Sequence, residues 1–235
     1  MANPLAEDLL RVATWNIHDA KGWDGRRNLD RVADVIRQID APLVGLQEVG
    51  CGAGDDCDVA ALAKCSAYAW YALPTRGGPE GQQHGNALLT MLPVEDVTTH
   101  DLSVPHREPR GALEVCIRWG RHRLRVVVTH LGLRAGERRH QVERLLSVVG
   151  YDPLVPTILL GDINEWWLWG RPLRWLHRRF GTSPAVRTFP SRMPLLALDR
   201  LWVDPPEALT AVFSVRTPEA RAASDHLPVV ASFRF

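Results

Sequence analysis

Short apolar runs, rich in β-branched residues and spread along the whole chain, are the feature that most constrains the fold. They are Leu9–Thr14, Leu43–Leu46, Leu124–Thr129, Thr157–Leu160, Leu198–Val203 and Leu227–Phe233. Runs of this length and composition are typical of strands that are covered on at least one face. Between them, Leu29–Ile39 and Glu137–Val149 place apolar residues on one side at helical spacing, with Asn28 as the N-cap of the first segment. The alternation predicts an α/β (α+β) fold.

The middle of the chain is richer in turn-forming residues. Thr75–Gln83 holds four glycines or prolines, and Asp101–Gly111 contains Pro105 and Pro109 among basic residues. We expect both segments to be loops over one edge of a sheet. Because no repeat, low-complexity tract or linker-like composition break interrupts the sequence, it predicts a single domain over residues 1–235.

Charge and targeting signals narrow the class of protein. The 28 Lys and Arg residues nearly balance the 27 Asp and Glu residues, so no global positive field favours nucleic acid. Any polyanion has to be bound locally, where a divalent cation could supply the charge. Met1–Leu10 has no basic region followed by an apolar run, and no apolar stretch reaches the roughly 18 residues of a membrane span. We expect a cytoplasmic monomer without a transmembrane segment.

The four cysteines do not indicate a disulfide scaffold, a zinc knuckle or a redox site. No two of them form a C-x-x-C pair. Cys51 and Cys57 flank a Gly/Asp loop, so a bridge between these two remains an alternative to free thiols.

Almost every predicted strand ends on a carboxylate, an amide or an imidazole. The residues at these ends are Asn16, Glu48, His130, Asp162 with Asn164, and Asp199, and Asp225 with His226 directly precedes the last strand. One such ending is ordinary, because Asp and Asn terminate strands by bonding their own backbone. Six in one chain indicate that the strand ends converge on a polar centre.

The residue types at this centre suit a hard cation. Glu48, Asp225 and the amide oxygen of Asn16 form an all-oxygen set that favours Mg²⁺, with Mn²⁺ as a possible substitute, over zinc. Mg²⁺ usually keeps several waters and takes one or two protein carboxylates, which leaves positions for a substrate phosphate. The set therefore indicates phosphoryl chemistry.

The remaining polar residues suit the activation of water. Asp162 and Asn164 lie two positions apart, so in an extended segment both side chains face the same side. A carboxylate beside an amide can accept a proton from water and hold that water in line. His226 and His130 can donate to the non-bridging oxygens as negative charge accumulates, and Asp199 can fix the tautomer of His226.

In these segments the sequence resembles the endonuclease/exonuclease/phosphatase superfamily, whose members include DNase I-like nucleases, inositol-polyphosphate 5-phosphatases and bacterial sphingomyelinases. The six matching segments are Thr14–His18, Leu46–Val49, Val128–Leu131, Leu160–Asn164, Leu198–Leu201 and Ser224–Val229, in family order. The resemblance implies a DNase I-like four-layer sandwich, with two packed, mostly antiparallel sheets flanked by helices.

Roles carried over from the family fall on matching positions. The resemblance implies that Asn16, Glu48 and Asp225 are associated with the metal and that Asp162 activates water. It also implies that Asn164 orients the water or the phosphate. His130 and His226 would stabilise the transition state, with Asp199 orienting His226.

The sequence departs from the DNA-repair members of this family, the abasic-site endonucleases, in two places. His18 stands where those members often carry an acid, and no tyrosine between Gly85 and Gly111 matches their phosphate-contacting tyrosine. Arg110 is our candidate substitute, against the alternative of a surface charge. Gly85–Leu89 and Thr188–Ser191 resemble segments of bacterial members without an assigned substrate.

A cluster of tryptophans and arginines follows the Asp162/Asn164 segment. It contains Trp166, Trp167, Trp169, Trp175, Arg171, Arg174, Arg178 and Arg179. The preferred interpretation is a helix whose indoles pack on the sheet. The alternatives are a platform for single-stranded nucleic acid or a wedge into lipid. We also predict that Trp166 and His18 contact substrate at the rim of the pocket.

Two function classes follow from these residues. The first is a metal-dependent hydrolase of phosphate esters, acting on nucleic acid, a phospholipid head group or a small ester. The second is a non-catalytic nucleic-acid or partner-binding module on the same fold, which would be expected to lose the polar centre. Because that centre is intact, the sequence favours the enzyme.

Overall fold

The computed structural model describes residues 9–52, 57–77, 83–150 and 152–235. The sequence predictions for Met1–Leu10, for the loop between Cys51 and Cys57 and for Thr75–Gln83 fall partly outside the described residues, at positions 1–8, 53–56 and 78–82.

The described residues form two β-sheets and five α-helices. The strands are β1 (Leu9–Asn16), β2 (Leu43–Gly50), β3 (Ala69–Gly77), β4 (Gln83–Thr90), β5 (Val94–Asp101), β6 (Gly111–Trp119), β7 (His122–His130), β8 (Thr157–Asp162), β9 (Asp199–Asp204), β10 (Leu209–Ser214) and β11 (Val229–Arg234). The α-helices are α1 (Leu29–Ile39), α2 (Asp58–Lys64), α3 (Ala135–Val148), α4 (Arg171–Phe180) and α5 (Pro218–Ala223).

The sheets are mixed but mostly antiparallel. The six-stranded sheet has the order β10-β11-β1-β2-β4-β3, and the five-stranded sheet has the order β5-β6-β7-β8-β9. Among the described strands only β1–β2 and β7–β8 pair in parallel.

Three apolar cores hold four layers together. The core between the sheets contains side chains from both, such as Val12 and Val126. On the outer face of the six-stranded sheet, α1, α2 and α5 pack through residues such as Ile36. On the outer face of the other sheet, α3 and α4 pack through residues such as Leu145 and Leu176. The predicted four-layer sandwich is confirmed.

Strand register brings the polar strand ends to one rim. In the five-stranded sheet, His130 on β7 pairs with Asp162 on β8, which in turn pairs with Asp199 on β9. Gly161 allows β7 and β8 to pair closely up to these ends. Its φ is +144°, and a Cβ at this position would lie 1.8 Å from the Thr129 carbonyl oxygen. In the other sheet β1 ends at Asn16 beside the equivalent end of β2.

Several local predictions are confirmed. Helix α1 has the predicted bounds, and the Asn28 side chain accepts a hydrogen bond from the Arg31 amide as an N-cap. Helix α3 overlaps the predicted segment Glu137–Val149 but begins earlier, at Ala135. All six predicted strands are present, with shifted ends.

The central region is more ordered than the sequence predicted. Residues 75–77 belong to β3 and Gln83 begins β4, so the prediction of a loop over Thr75–Gln83 is wrong at both ends. The Asp101–Gly111 segment does connect two strands, β5 and β6.

Two absences apply to the described residues. Cys51, Cys57, Cys65 and Cys116 form no disulfide bond, so the alternative of a Cys51–Cys57 bridge is wrong. Within the described ranges, no helix combines the length and apolar character needed to cross a membrane.

Candidate active site

A polar cavity of about 310 Å³ opens at the rim where the strand ends meet. It is lined by ten of the eleven residues that the sequence singled out: Asn16, His18, Glu48, Arg110, His130, Asp162, Asn164, Trp166, Asp225 and His226. The eleventh, Asp199, is fully buried and contacts His226. The structure therefore brings the whole predicted set together.

Asp162 lies at the centre of this cavity and is held by two donors. Its Oδ1 accepts the backbone N–H of Asn164 at 2.9 Å, and its Oδ2 accepts the side-chain amide of Asn16 at 3.0 Å. Asn164 adopts a φ of +54°, an uncommon conformation that returns its N–H to the carboxylate. The Asp162 side chain is 1% exposed, so its orientation is fixed.

A buried chain of hydrogen bonds supports His226. Its Nδ1 lies 2.8 Å from Asp199 Oδ2, which also accepts the Thr188 hydroxyl at 2.6 Å. The imidazole packs on Phe189 with 4.9 Å between ring centroids. Its Nε2 faces the cavity, 3.8 Å from Asp162 Oδ2. Ring and carboxylate therefore have one mutual orientation.

His130 lies on the other side of Asp162. Its Nδ1 is 2.9 Å from Arg110 Nη1, and its Nε2 is 3.0 Å from the Asn164 side-chain nitrogen and 3.5 Å from Asp162 Oδ2. A neutral imidazole has one acceptor nitrogen, and a guanidinium can only donate. The side-chain nitrogen of Asn164 is also a donor, so the neutral ring can accept from only one of these two groups, and its proton lies on the nitrogen that faces the other.

The surroundings set the charges of these groups. Burial raises the pKa of Asp162 to about 6, although the nearby His226 opposes this shift. Burial alone would lower the pKa of His226, but Asp199 and Asp162 raise it to about 10. Burial, with Arg110 and His226 nearby, lowers the pKa of His130 well below its usual value. At neutral pH the cavity therefore holds a carboxylate between an imidazolium and a neutral imidazole.

Glu48 and Asp225 are the open carboxylates of the cavity, with side chains 28% and 33% exposed. Glu48 interrupts the pairing of β2 with β4 and has a φ of +54°, which directs it out of the sheet. Its Oε1 accepts the Asn16 amide at 3.1 Å. His18 Nδ1 lies 3.5 Å from Asp225 Oδ1 without a hydrogen bond.

Asn16 contacts two carboxylates of the cavity through its side-chain amide. Its amide oxygen accepts the His18 backbone N–H at 3.0 Å, while its amide nitrogen donates to Glu48 and Asp162. The oxygen keeps one lone pair, but the observed contacts hold the two carboxylates in place.

A second group of ligand-type atoms lies deeper. Atoms of Asp162, Asp199 and His226 fall within 4.8 Å of one another. The raised pKa of His226 means that a proton already occupies the imidazole between the two carboxylates. The donor chemistry of this group therefore suits a hydrogen-bond chain, whereas the open oxygens of Glu48 and Asp225 suit a hard cation.

The interpretation of the tryptophan cluster as a helix packed on the sheet is wrong for three of its four indoles. Trp166, Trp167 and Trp169 precede α4 and are exposed, whereas Trp175 lies on α4 and is partly buried. Gly170 separates the exposed segment from the helix.

Besides Leu133 and Leu198, which line the cavity, four residues of the site were not found from the sequence as site residues. Arg76 and Glu108 line the cavity, and Glu108 bonds both Arg76, at 3.1 Å, and Arg110, at 2.9 Å. Thr188 and Phe189 hold Asp199 and His226. The only sequence signal was that Thr188–Ser191 resembles a family segment.

Comparison with known proteins gives a consistent result. Residues 13–226 match the model of the Endonuclease/Exonuclease/phosphatase family. The chain is 32% identical over 242 residues to the uncharacterized protein YbhP of Escherichia coli (strain K12), covering 94% of both chains.

Solved structures show the same fold. An endonuclease/exonuclease/phosphatase from Beutenbergia cavernae DSM 12333 superposes with a TM-score of 0.77 at 23% identity, over 97% of this chain and 72% of that chain. The human Nocturnin catalytic domain with bound sulfate anion gives a TM-score of 0.75 at 19% identity, over 97% of this chain and 94% of that chain.

Proposed function

The chain belongs to the endonuclease/exonuclease/phosphatase family, and we propose that it hydrolyses a phosphodiester by in-line attack of a water molecule that Asp162 deprotonates. Members of this family generally hydrolyse phosphoester bonds and typically depend on a divalent metal. The observation that carries the proposal is the Asp162 carboxylate, held by two donors between His130 and His226.

Asp162 has the properties of a general base. A pKa of about 6 leaves the carboxylate ionised at neutral pH, yet more basic than an exposed aspartate. Both oxygens already accept one hydrogen bond, and each keeps a further lone pair for water. Asn164 fixes the carboxylate through its backbone and contributes its amide to the same cavity.

The two histidines supply donors on either side. His226 stays protonated because Asp199 holds its Nδ1–H, so Nε2–H presents a full positive charge to the non-bridging oxygens. Neutral His130 places its Nε2 on the opposite side, where Nε2–H can donate when Nδ1 accepts from Arg110. Preorganised donors of this kind stabilise the charge that develops in a phosphoryl-transfer transition state.

Glu48 and Asp225 would hold the divalent cation, Mg²⁺ or Mn²⁺. The residues fit this ion, because both offer carboxylate oxygens that are partly exposed to the cavity. One oxygen of each carboxylate accepts a hydrogen bond, from Asn16 in Glu48 and from Ser224 in Asp225. When bound, the cation supplies Lewis acidity that polarises a phosphoryl oxygen. Asn16 keeps Glu48 and Asp162 at a fixed separation.

The residues at the mouth of the cavity would contact the substrate. Arg110 is 8% exposed, lines the cavity and keeps an unpaired Nε, so it is suited to a phosphate oxygen. His18 and Trp166 lie at the rim and would contact the remainder of the substrate.

The proposal includes a single domain over residues 1–235 that acts as a cytoplasmic monomer.

The test is turnover of bis-p-nitrophenyl phosphate with Mg²⁺ or Mn²⁺, with and without EDTA. We expect metal-dependent release of p-nitrophenol that is lost in Asp162→Ala. The control is Asp34→Asn, an exposed carboxylate on α1 that pairs with Arg37, and it should retain full activity. Hydrolysis that persists in EDTA or in Asp162→Ala would contradict the proposal.

A further inference from the structure

Five large apolar side chains form an exposed ridge beside the cavity. They are Leu133, Trp166, Trp167, Leu168 and Trp169, here called the apolar rim, and each is between 55 and 68% exposed. Single exposed apolar residues are ordinary, but a contiguous group marks a surface that contacts another molecule. The proposed mechanism uses only Trp166, so the remaining four need another explanation.

The apolar rim is held together by one buried ion pair. Arg138 donates through Nε to Glu165 at 3.2 Å and through Nη1 to the Leu133 carbonyl at 2.6 Å. Glu165 also accepts the Trp167 backbone N–H at 3.2 Å. Arg138 is 4% and Glu165 3% exposed, so the pair is desolvated. Two separate loops are thereby fixed to one another as a single surface.

The apolar rim also borders the mouth of the cavity. Leu133 and Trp166 both line the cavity that contains Asp162 and His226. A surface that binds the apolar rim would therefore lie directly over the proposed catalytic groups.

The segment that carries the indoles of the apolar rim is rich in arginine. From Trp166 to Leu198 the sequence contains six arginines and no carboxylate, although the whole chain has a net charge of only +1. Arg134 adjoins Leu133, and Arg171 and Arg174 follow Trp169; all three are exposed. Exposed indoles with flanking arginines are the combination that binds the interface of an anionic bilayer.

Two observations favour lipid over nucleic acid. The rings of Trp167 and Trp169 pack against each other with 5.3 Å between centroids, which covers faces that would stack on bases. Leu133 and Leu168 are aliphatic and have no aromatic face to offer a base. We infer that the apolar rim docks the protein on an anionic phospholipid membrane, with the cavity opening onto the head groups. The role of the cavity there rests on the proposed function.

Vesicle flotation tests the docking surface without any substrate. Wild-type protein is mixed with vesicles of phosphatidylcholine alone or with about one third phosphatidylglycerol, a fraction chosen to give a strongly negative surface. We expect binding to the anionic vesicles that weakens as salt rises, and weaker binding to phosphatidylcholine alone. The triple variant Trp167→Ser, Leu168→Ser, Trp169→Ser should lose at least about tenfold in vesicle affinity.

The control is Leu154→Ser. Leu154 is 86% exposed but precedes β8, at the opposite end of the strand from Asp162. The Leu154→Ser variant should therefore bind vesicles with the affinity of the wild type. Equal binding by wild type and the triple variant would overturn the inference. So would a triple variant that retains vesicle binding but loses affinity for a single-stranded oligonucleotide.

Turnover of bis-p-nitrophenyl phosphate separates this inference from the proposed function. The triple variant should hydrolyse this soluble ester at the wild-type rate. Asp162→Ala should bind anionic vesicles as wild type does while failing to hydrolyse the ester. Vesicle binding without any hydrolysis by wild type would refute the proposed function alone, and hydrolysis without vesicle binding would refute the docking surface alone.

Discussion

The two halves of the cavity differ in their exposure to water. Asp162, Asp199 and His226 are buried and joined by hydrogen bonds, whereas the side chains of Glu48 and Asp225 are about one third exposed. Burial shifts pKa values and fixes proton positions, which suits groups that handle protons. A cation that keeps its waters needs open oxygens instead. The proposed function accordingly places proton transfer in the buried half and metal binding in the open half.

The largest effect is expected from Asp162→Asn. Asparagine has the same shape but cannot accept a proton from water, so kcat for bis-p-nitrophenyl phosphate should fall by about 10² to 10⁴ at saturating Mg²⁺. Asp204→Asn, on the same sheet but paired with Arg179, serves as the control and should retain the wild-type rate. A loss of less than tenfold in Asp162→Asn would place the base elsewhere.

Asp199→Asn should act through His226 and through pH. His226 donates only when protonated, so the rate falls as pH rises through its pKa, which Asp199 and Asp162 raise to about 10. Removing the Asp199 charge lowers that pKa, and the alkaline limb of the pH–rate profile should move to lower pH. At neutral pH we expect a loss of roughly tenfold to a hundredfold.

The matched control for Asp199→Asn is Thr188→Val. It removes only the 2.6 Å hydrogen bond to Asp199 and keeps the negative charge. Because the charge that raises the pKa of His226 is kept, the alkaline limb should stay close to its wild-type position. An unchanged profile in Asp199→Asn would show that His226 does not act as the protonated donor.

Glu48→Gln should lower the affinity for Mg²⁺ more than it lowers kcat. Loss of one carboxylate from the open half should raise the Mg²⁺ concentration for half-maximal activity by about tenfold or more, while saturating Mg²⁺ restores most of kcat. Glu108→Gln, on the same cavity but bonded to Arg76 and Arg110, should leave the Mg²⁺ requirement unchanged. Equal Mg²⁺ requirements in wild type and Glu48→Gln would refute the assignment of the open half.

Phe189→Leu should give the smallest effect. Its ring packs on His226 at 4.9 Å, and loss of an aromatic contact worth about 1 kcal/mol corresponds to roughly a fivefold change in rate. The effect should appear in kcat with an unchanged Mg²⁺ requirement. A change in the Mg²⁺ requirement alone would contradict the division between the two halves.

The elements that the sequence predicted well carry local signals. Helix α1 begins after the capping side chain of Asn28 and ends where Asp40 adopts a φ of +48°, so local contacts define both ends. The polar strand ends were visible because they interrupt buried apolar runs. The metal-site prediction for Asn16, Glu48 and Asp225 stays a prediction, since no described contact tests it.

The elements that the sequence missed depend on tertiary contacts. Strand β5 is an edge strand that is largely exposed, so it shows no apolar alternation, and only its pairing with β6 identifies it. Arg76 and Glu108 reach the cavity from segments that contact it only after the chain has folded. The spacing of the tryptophans did not show that Trp166, Trp167 and Trp169 precede α4 and that only Trp175 lies on it.

Calorimetric titration with Mn²⁺ tests the division of the cavity most directly. It compares wild type with the double variants Asp162→Asn, His226→Gln and Glu48→Gln, Asp225→Asn. The account predicts that the first double variant, although inactive, binds Mn²⁺ within a few-fold of wild type, whereas the second loses at least about tenfold in affinity. The reverse result would place the cation in the buried cluster of Asp162, Asp199 and His226 and would contradict the account.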